Sequence, residues 1–343
     1  NPTLGKKWIN KTSGEVYICT DATTGANVWT NVGAGTGDIL PFIWQGTSYG
    51  YNLGGYTSGG PAPANANVER FSFTSNGNST DVADLATGVY YNSSSCNTGT
   101  AGYVKGGVSY PPTADDGDIQ KFIFATGANM TDVGDLLLDG EGRTGSSSGT
   151  HGYTASGGTT AGGTPYFDSI EKFSYSAEGT SVDVGNLLAA AYTSGSGANS
   201  LTYGYAMGGH TSSPNTDINT IQRWSFSSDG NAVDTTANLT FNRNHGSSCS
   251  STTYAYYHGG QTPRNAIDKH QFDTSNNSTD VGDLIANNMQ GATQSSTTYG
   301  YVCGGGSPYH NTIQKYSFAS GTQNAVDVGD ILSIRYGLSG VQQ

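Results

Sequence analysis

Charge is scarce in this chain. Asp, Glu, Lys and Arg make up 12% of the 343 residues, about half the usual share in soluble domains. Cations are scarcer than anions: 14 Lys and Arg stand against 26 Asp and Glu, a net charge of −12. A phosphate backbone would be repelled, and no basic stripe offsets this, so nucleic acid is not an expected partner. Long apolar runs are also missing. No stretch reaches the 18 or so residues of a spanning helix, and no membrane insertion is expected. Cysteine is limited to Cys19, Cys96, Cys249 and Cys303. None forms a Cys-x-x-Cys pair, which removes support for structural zinc, and four scattered cysteines make no disulfide scaffold. The chain starts at Asn1 without Met or a signal-like apolar stretch; a fragment, a processed product and a virion subunit all fit this start.

What is abundant is glycine and tyrosine. There are 51 glycines, about 15% of the chain and roughly twice the usual share. The 22 tyrosines raise aromatics to 11%, which argues against disorder over the whole length.

These residues recur in register. A Gly-Tyr-x-x-Gly-Gly-like element occurs six times, with its Gly pair at Gly54, Gly106, Gly157, Gly208, Gly259 and Gly304. The spacings are 52, 51, 51, 51 and 45 residues, and the third copy reads as carrying one extra residue before its pair. A second element follows each time, from Val68-Glu69-Arg70-Phe71-Ser72-Phe73 to Ile313-Gln314-Lys315-Tyr316-Ser317-Phe318. A third, Asp-Val-Gly-Asp-Leu or close to it, begins at Asp81, Asp132, Asp183, Asp234, Asp280 and Asp327. It lies 8 residues after the closing aromatic in five copies and 9 in the last.

Each element reads as a strand, with aromatic and β-branched residues bounded by Gly, Asn and Ser. No stretch sustains a helical apolar period, although Leu136-Leu137-Leu138 and Leu187–Ala191 could each start a turn of helix. A fourth segment of small residues, such as Ser146-Ser147-Ser148 and Ser247-Ser248-Cys249-Ser250, precedes the next Gly-Tyr element. Four strands per fifty-odd residues is the arithmetic of a β-propeller blade, whose innermost strand needs small side chains at the crowded axis. The expected fold is therefore all-β: a six-bladed propeller with four antiparallel strands per blade. Gly37-Asp38-Ile39 mimics the third element but lies 15 residues before Gly54, against 20 or 21 elsewhere. The first blade thus lacks one short strand, and Ser333–Gly340 is expected to supply it, leaving no open edge.

The Gly pair, the basic-aromatic strand and the repeat length together resemble kelch repeats, from about Asp38 to Gln343. The Trp usual late in a kelch repeat is replaced here by Asp-Val-Gly-Asp-Leu. The N-terminal run Trp8-Ile9-Asn10-Lys11-Thr12-Ser13-Gly14-Glu15-Val16-Tyr17, followed by Val28-Trp29, resembles a short module of bacteriophage tail-fibre and other virion proteins. It reads as a β-hairpin turning at Thr24-Gly25. About 35 residues cannot bury a core alone, so it is expected to pack on the propeller or on a neighbouring subunit. The domains expected are 1–36, an attachment and assembly module, and 37–343, the propeller.

The repeated Asp pair, as in Asp132 and Asp135, could supply calcium ligands. The denser Asp-x-Asp-x-Asp-Gly spacing is absent, which favours an Asp capping a turn. The six histidines fall at different repeat positions, without His-x-His or His-Glu-x-x-His. No catalytic residue, metal or cofactor is expected. The segments after each Gly pair vary while their flanking strands do not, and they share one place in each blade. Binding residues concentrate on such loops; the candidates are Tyr110, Tyr166, Phe167, His210, Arg264, Tyr309 and His310. Exposed rings with polar neighbours suit sugar recognition. The expectation is a non-enzymatic phage virion protein, a fibre, spike or capsid-decorating subunit. Its partners would be other virion proteins through the N-terminal segment, a host-surface glycan, and further copies of itself in a homo-oligomer. The alternative is a secreted, extracellular bacterial lectin or adhesin of the same fold.

Overall fold

The computed structural model describes residues 1–12, 14–32, 44–57, 64–91, 94–110, 113–159, 165–193, 197–261, 264–319 and 323–343. Among these residues the chain forms 31 β-strands and no helix, including at Leu136 and Leu187. It divides into two compact units, Asn1–Ile43 and Trp44–Gln343. The expected boundary at 36/37 and the Gly37-Asp38-Ile39 element lie outside the described residues, as do Pro61-Ala62-Pro63, Pro111-Pro112 and Pro263.

The first unit is a three-stranded antiparallel sheet, not a simple hairpin. Strands β1 (Lys7–Ile9), β2 (Val16–Asp21) and β3 (Val28–Asn31) lie in the order β1-β2-β3. The expected hairpin is β2–β3. The run before it adds β1 because Trp8 pairs with Tyr17, their ring centroids 5.3 Å apart. Asp21 Oδ1 accepts the Thr23 N–H at 2.8 Å, which starts the turn into β3. Among the described side chains of this unit only Tyr17 and Cys19 are buried.

The second unit repeats one sheet six times. Thr144–Ser147, His151–Ala155, Ser169–Ser174 and Val182–Asn186 lie side by side, all antiparallel, in chain order. The other sheets share these four strands: small-residue, Gly-Tyr, basic-aromatic and Asp. One sheet takes its small-residue strand from the far end of the chain: Ser339–Gln342 pairs with Tyr49–Leu53, Val341 opposite Tyr51. The C-terminal segment is therefore two short strands where one was expected over 333–340. Arg335–Tyr336 pairs with Tyr56–Thr57, and Gly337, at φ +66°, turns the chain into Ser339–Gln342.

The small-residue strands are Ser94–Asn97, Thr144–Ser147, Gly197–Asn199, Ser247–Ser250, Ala292–Ser295 and Ser339–Gln342. Each lies against the next in this order, and Ser339–Gln342 lies against Ser94–Asn97. Their backbones approach too closely for larger side chains. A Cβ on Gly145 would sit 2.2 Å from the Ser95 carbonyl oxygen, and one on Gly197 2.2 Å from that of Gly145.

The third repeat has a different register from the one its letters suggest. In the other five, the Gly pair adopts φ of about +60° and then +100° to +122°. In the third, Ser156 (φ +61°) and Gly157 (φ +112°) take those places. Gly157 N–H donates to Ala191 O at 2.9 Å, just as Gly107 donates to Gly140 O and Gly209 to Arg243 O. No extra residue precedes the pair; a serine stands where a glycine stood.

Six apolar clusters fill the spaces between successive sheets. One joins Tyr103, Ile119 and Leu136 to Phe173 of the next sheet. Another joins Tyr301, Ile313 and Ile331 to Phe71 and Leu338. Each buried large side chain contributes about 1.5–3 kcal/mol. Polar staples run beside them. The second residue of each basic-aromatic element accepts an N–H from the repeat before it: Gln120 from Thr87, Glu171 from Leu137, Gln222 from Leu188, Asp268 from Thr240 and Gln314 from Ile285. Glu69, in the first repeat, accepts from Leu332 in the last, at 3.0 Å. Where this residue is an acid, a fully buried arginine neutralises it: Arg335 for Glu69, Arg143 for Glu171 and Arg243 for Asp268.

Candidate functional site

At the start of the small-residue strands lies a cavity of about 640 Å³. Two tiers of residues line it. The deeper tier comes five or six residues after the Leu or Ile that closes each Asp element: Tyr91, Glu141, Tyr192, Asn244 with His245, Met289 with Gln290, and Tyr336. The upper tier, Tyr166, His210, Gln261 and Tyr309, follows the Gly pairs.

Backbone bonds between neighbouring repeats fix the deeper tier. Gly142 N–H donates to Tyr91 O, Thr193 to Gly142 O, Gln290 to His245 O and Gly337 to Gln290 O, at 2.8–3.2 Å. Short pairings tie the tiers together: Tyr192 lies opposite His210, Glu141 opposite Gly158 and Met289 opposite Gly306.

The rings form two groups. Tyr309 stacks on Tyr336 with centroids 4.8 Å apart and planes 11° apart, and Tyr91 lies 5.8 Å from Tyr336. In the other group Tyr166 contacts Tyr192 at 6.0 Å and His210 at 6.2 Å, while Tyr192 meets His245 at 5.3 Å. The Tyr192 ring lies directly on Gly142, where a Cβ would be only 2.2 Å from it. Glycine at 142 is thus required for the ring to reach its place beside Glu141.

Glu141 is the one carboxylate of the lining among the described residues. Burial pushes its carboxyl up to about 7, the charge of Asp115 adds to this, and a hydrogen bond from Tyr192 opposes it. Its Oε2 is buried without a hydrogen-bond partner. Burial holds the His245 imidazole down at about 4, and its Nδ1 lies 3.0 Å from Gln290 Nε2. His210 is bonded at both nitrogens, to Asp217 Oδ1 and Asn215 Oδ1, each at 2.6 Å. Asn244 Nδ2 donates to the same Asp217 oxygen at 2.8 Å. Among the described residues the lining thus offers stacking faces, amides, phenols and one carboxyl, and no Ser, Cys or Lys.

The other end of the small-residue strands is closed. Between them runs a narrow void of about 80 Å³ lined mainly by Ser, Thr and Gly. Trp44, buried, lies across its end. Its Nε1 donates to Ser250 O at 3.3 Å, and its carbonyl accepts from Asn97 Nδ2 and Gln342 Nε2. Trp44, the first described residue of the second unit, thus sits at the end opposite the cavity.

Three of the seven residues predicted from sequence, Tyr166, His210 and Tyr309, line the cavity. Tyr110 sits in a turn outside it, Arg264 lies over the Phe241 ring at 4.0 Å, and Phe167 faces the Arg143 guanidinium at 5.1 Å. His310 Nε2 lies 3.0 Å from Asn288 Nδ2. The deeper tier lies outside the segments after the Gly pairs, and none of its residues is among the seven candidates. Counting on from the Leu or Ile that closes the Asp element, Tyr91, Glu141, Tyr192, His245 and Tyr336 stand five or six residues on in five of the six repeats, a signal present in the letters. The repeated aspartates cap turns: Asp132, Asp183, Asp234, Asp280 and Asp327 each accept an N–H two residues on, at 2.7–3.2 Å. Among the described residues no group of three or more His, Cys, Asp or Glu could hold a metal ion.

No family model and no curated protein matches the chain.

Proposed function

We propose that the six sheets are blades of a closed kelch-like propeller whose tyrosine-lined end binds carbohydrate, and that the protein is a non-enzymatic structural subunit of a bacteriophage virion. Closure is supported by the bonds that link the last repeat to the first: Leu332 to Glu69, Ser79 N–H to Asp330 O, and the pairing of Ser339–Gln342 with Tyr49–Leu53. The virion setting rests on the Trp8–Trp29 segment and its likeness to tail-fibre modules.

The observation that carries the binding function is the cavity itself. Five tyrosines face a space of about 640 Å³, a volume typical of small-ligand sites. Tyrosine faces stack on the apolar side of a pyranose ring, and Asn244, Gln261 and Gln290 can hold its hydroxyls. A glycan array of bacterial-surface sugars, probed with the purified chain and with Y309A, tests this. Selective binding that is lost in the variant is expected; uniform silence would leave a decorating role alone.

A further inference from the structure

We propose that the ligand of this cavity carries a cationic ammonium group, seated against the Glu141 carboxylate and among the tyrosine faces. The inference rests on the carbohydrate reading and narrows it to glycans with amino or choline-type substituents. Three observations converge on one end of the cavity.

First, the only carboxylate of the lining among the described residues has an oxygen that is buried and unpaired. An uncharged sugar hydroxyl could bond to it, but only a cation also offsets the cost of keeping that carboxylate charged away from water. Second, among the described residues no Lys or Arg lines the cavity, so no ammonium or guanidinium there competes for the charge. Arg143, two residues on, is committed to Glu171 and packed on Phe167. Third, the walls are π faces. Tyr91 and Tyr336 come from one side and Tyr192 and Tyr166 from the other, the arrangement by which aromatic cages hold ammonium groups. The cage is built and not incidental: Tyr192 lies on Gly142, and Tyr166 on Gly158, where a Cβ would be 2.9 Å from its ring.

The charged and titratable groups around Glu141 allow this. Asp115 faces it from the preceding sheet and adds negative potential; Tyr192 faces it from the following sheet. Across the cavity His210 is paired with Asp217, and burial keeps the His245 ring uncharged near neutral pH.

The test is calorimetric titration of the full chain at pH 8 with choline and with its uncharged isostere 3,3-dimethyl-1-butanol. Choline is expected to bind about tenfold or more tightly than the isostere. The variant E141Q should bring the two within about twofold. Lowering the pH from 8 to 5 on the unmodified protein, which needs no variant to fold, should erode the same preference as Glu141 takes up its proton. Equal affinities, no choline binding, or a preference that survives in E141Q would overturn the proposal. An array positive for neutral sugars with no choline preference would sink this inference and leave the carbohydrate reading standing. A choline preference with a silent array would do the reverse.

Discussion

The two ends of the small-residue strands obey different rules. At the closed end the repeats are nearly alike: Asn97, Ser147, Asn199, Ser250 and Ser295 bond from strand to strand, and Trp44 lies across them. At the open end the equivalent positions hold Tyr91, Glu141, Tyr192, His245, Gln290 and Tyr336, with hardly two neighbours the same. The same backbone supports both ends. Where the strands must only pack, an uncharged polar residue, Ser, Asn or Gln, serves every repeat. Where side chains face a cavity, each repeat contributes something different, as a site for an asymmetric ligand requires. On the proposed reading the closed end is a structural seal and the open end the binding site.

Substitutions at the two ends should therefore separate stability from binding. The largest effect belongs to Trp44. W44A leaves a void at the seal and should cost about 3–5 kcal/mol in urea unfolding, with glycan affinity unchanged within twofold. A loss of binding as large as the loss of stability would erase the distinction. At the open end, Y309A removes a half-exposed ring. It should weaken glycan binding about tenfold, ~1.4 kcal/mol, and move stability by less than about 0.5 kcal/mol.

Glu141 sharpens the contrast through pH. Its carboxyl is held up near 7 in the fold, above its ordinary value, so the folded state favours the protonated form. The stabilisation by that proton is full below about pH 4.5 and is lost as pH rises through 7. Asp116 is raised to about 6 as well and contributes in the same sense. The difference in melting temperature between E141Q and the unmodified chain isolates Glu141. It should grow in favour of E141Q from pH 5 to pH 8; a difference that is flat or reversed would contradict the burial of this group. The smallest effect lies far from both ends. D132A removes a turn cap and should cost about 0.5–1 kcal/mol, with binding untouched.

The strands were legible because their signals are local and repeated six times. The Asp caps were legible too, since a cap needs only its own turn. The errors came where structure depends on something outside the segment. Ser156 takes a glycine's φ, and a Gly-Gly doublet one residue on, Gly157-Gly158, drew the register away from it. Lys7–Ile9 is too short to read as a strand until Tyr17 is placed beside it. The deeper cavity tier is scattered over the chain from Tyr91 to Tyr336 and converges only in the assembled repeats. The alternation of acid and amide at Glu69, Gln120, Glu171, Gln222, Asp268 and Gln314 is visible in the letters. Its meaning appears only when Arg335, Arg143 and Arg243 are found buried against the acids alone.

Hydrogen exchange of the full chain with and without an array-positive glycan tests the division between site and seal most directly. Protection is expected in 89–91, 139–142, 191–192, 244–245, 289–290 and 335–336, with no change in 44–46 or 94–97. Protection centred on 44–46 and the closed ends of the small-residue strands, with the tyrosine end unaffected, would contradict it.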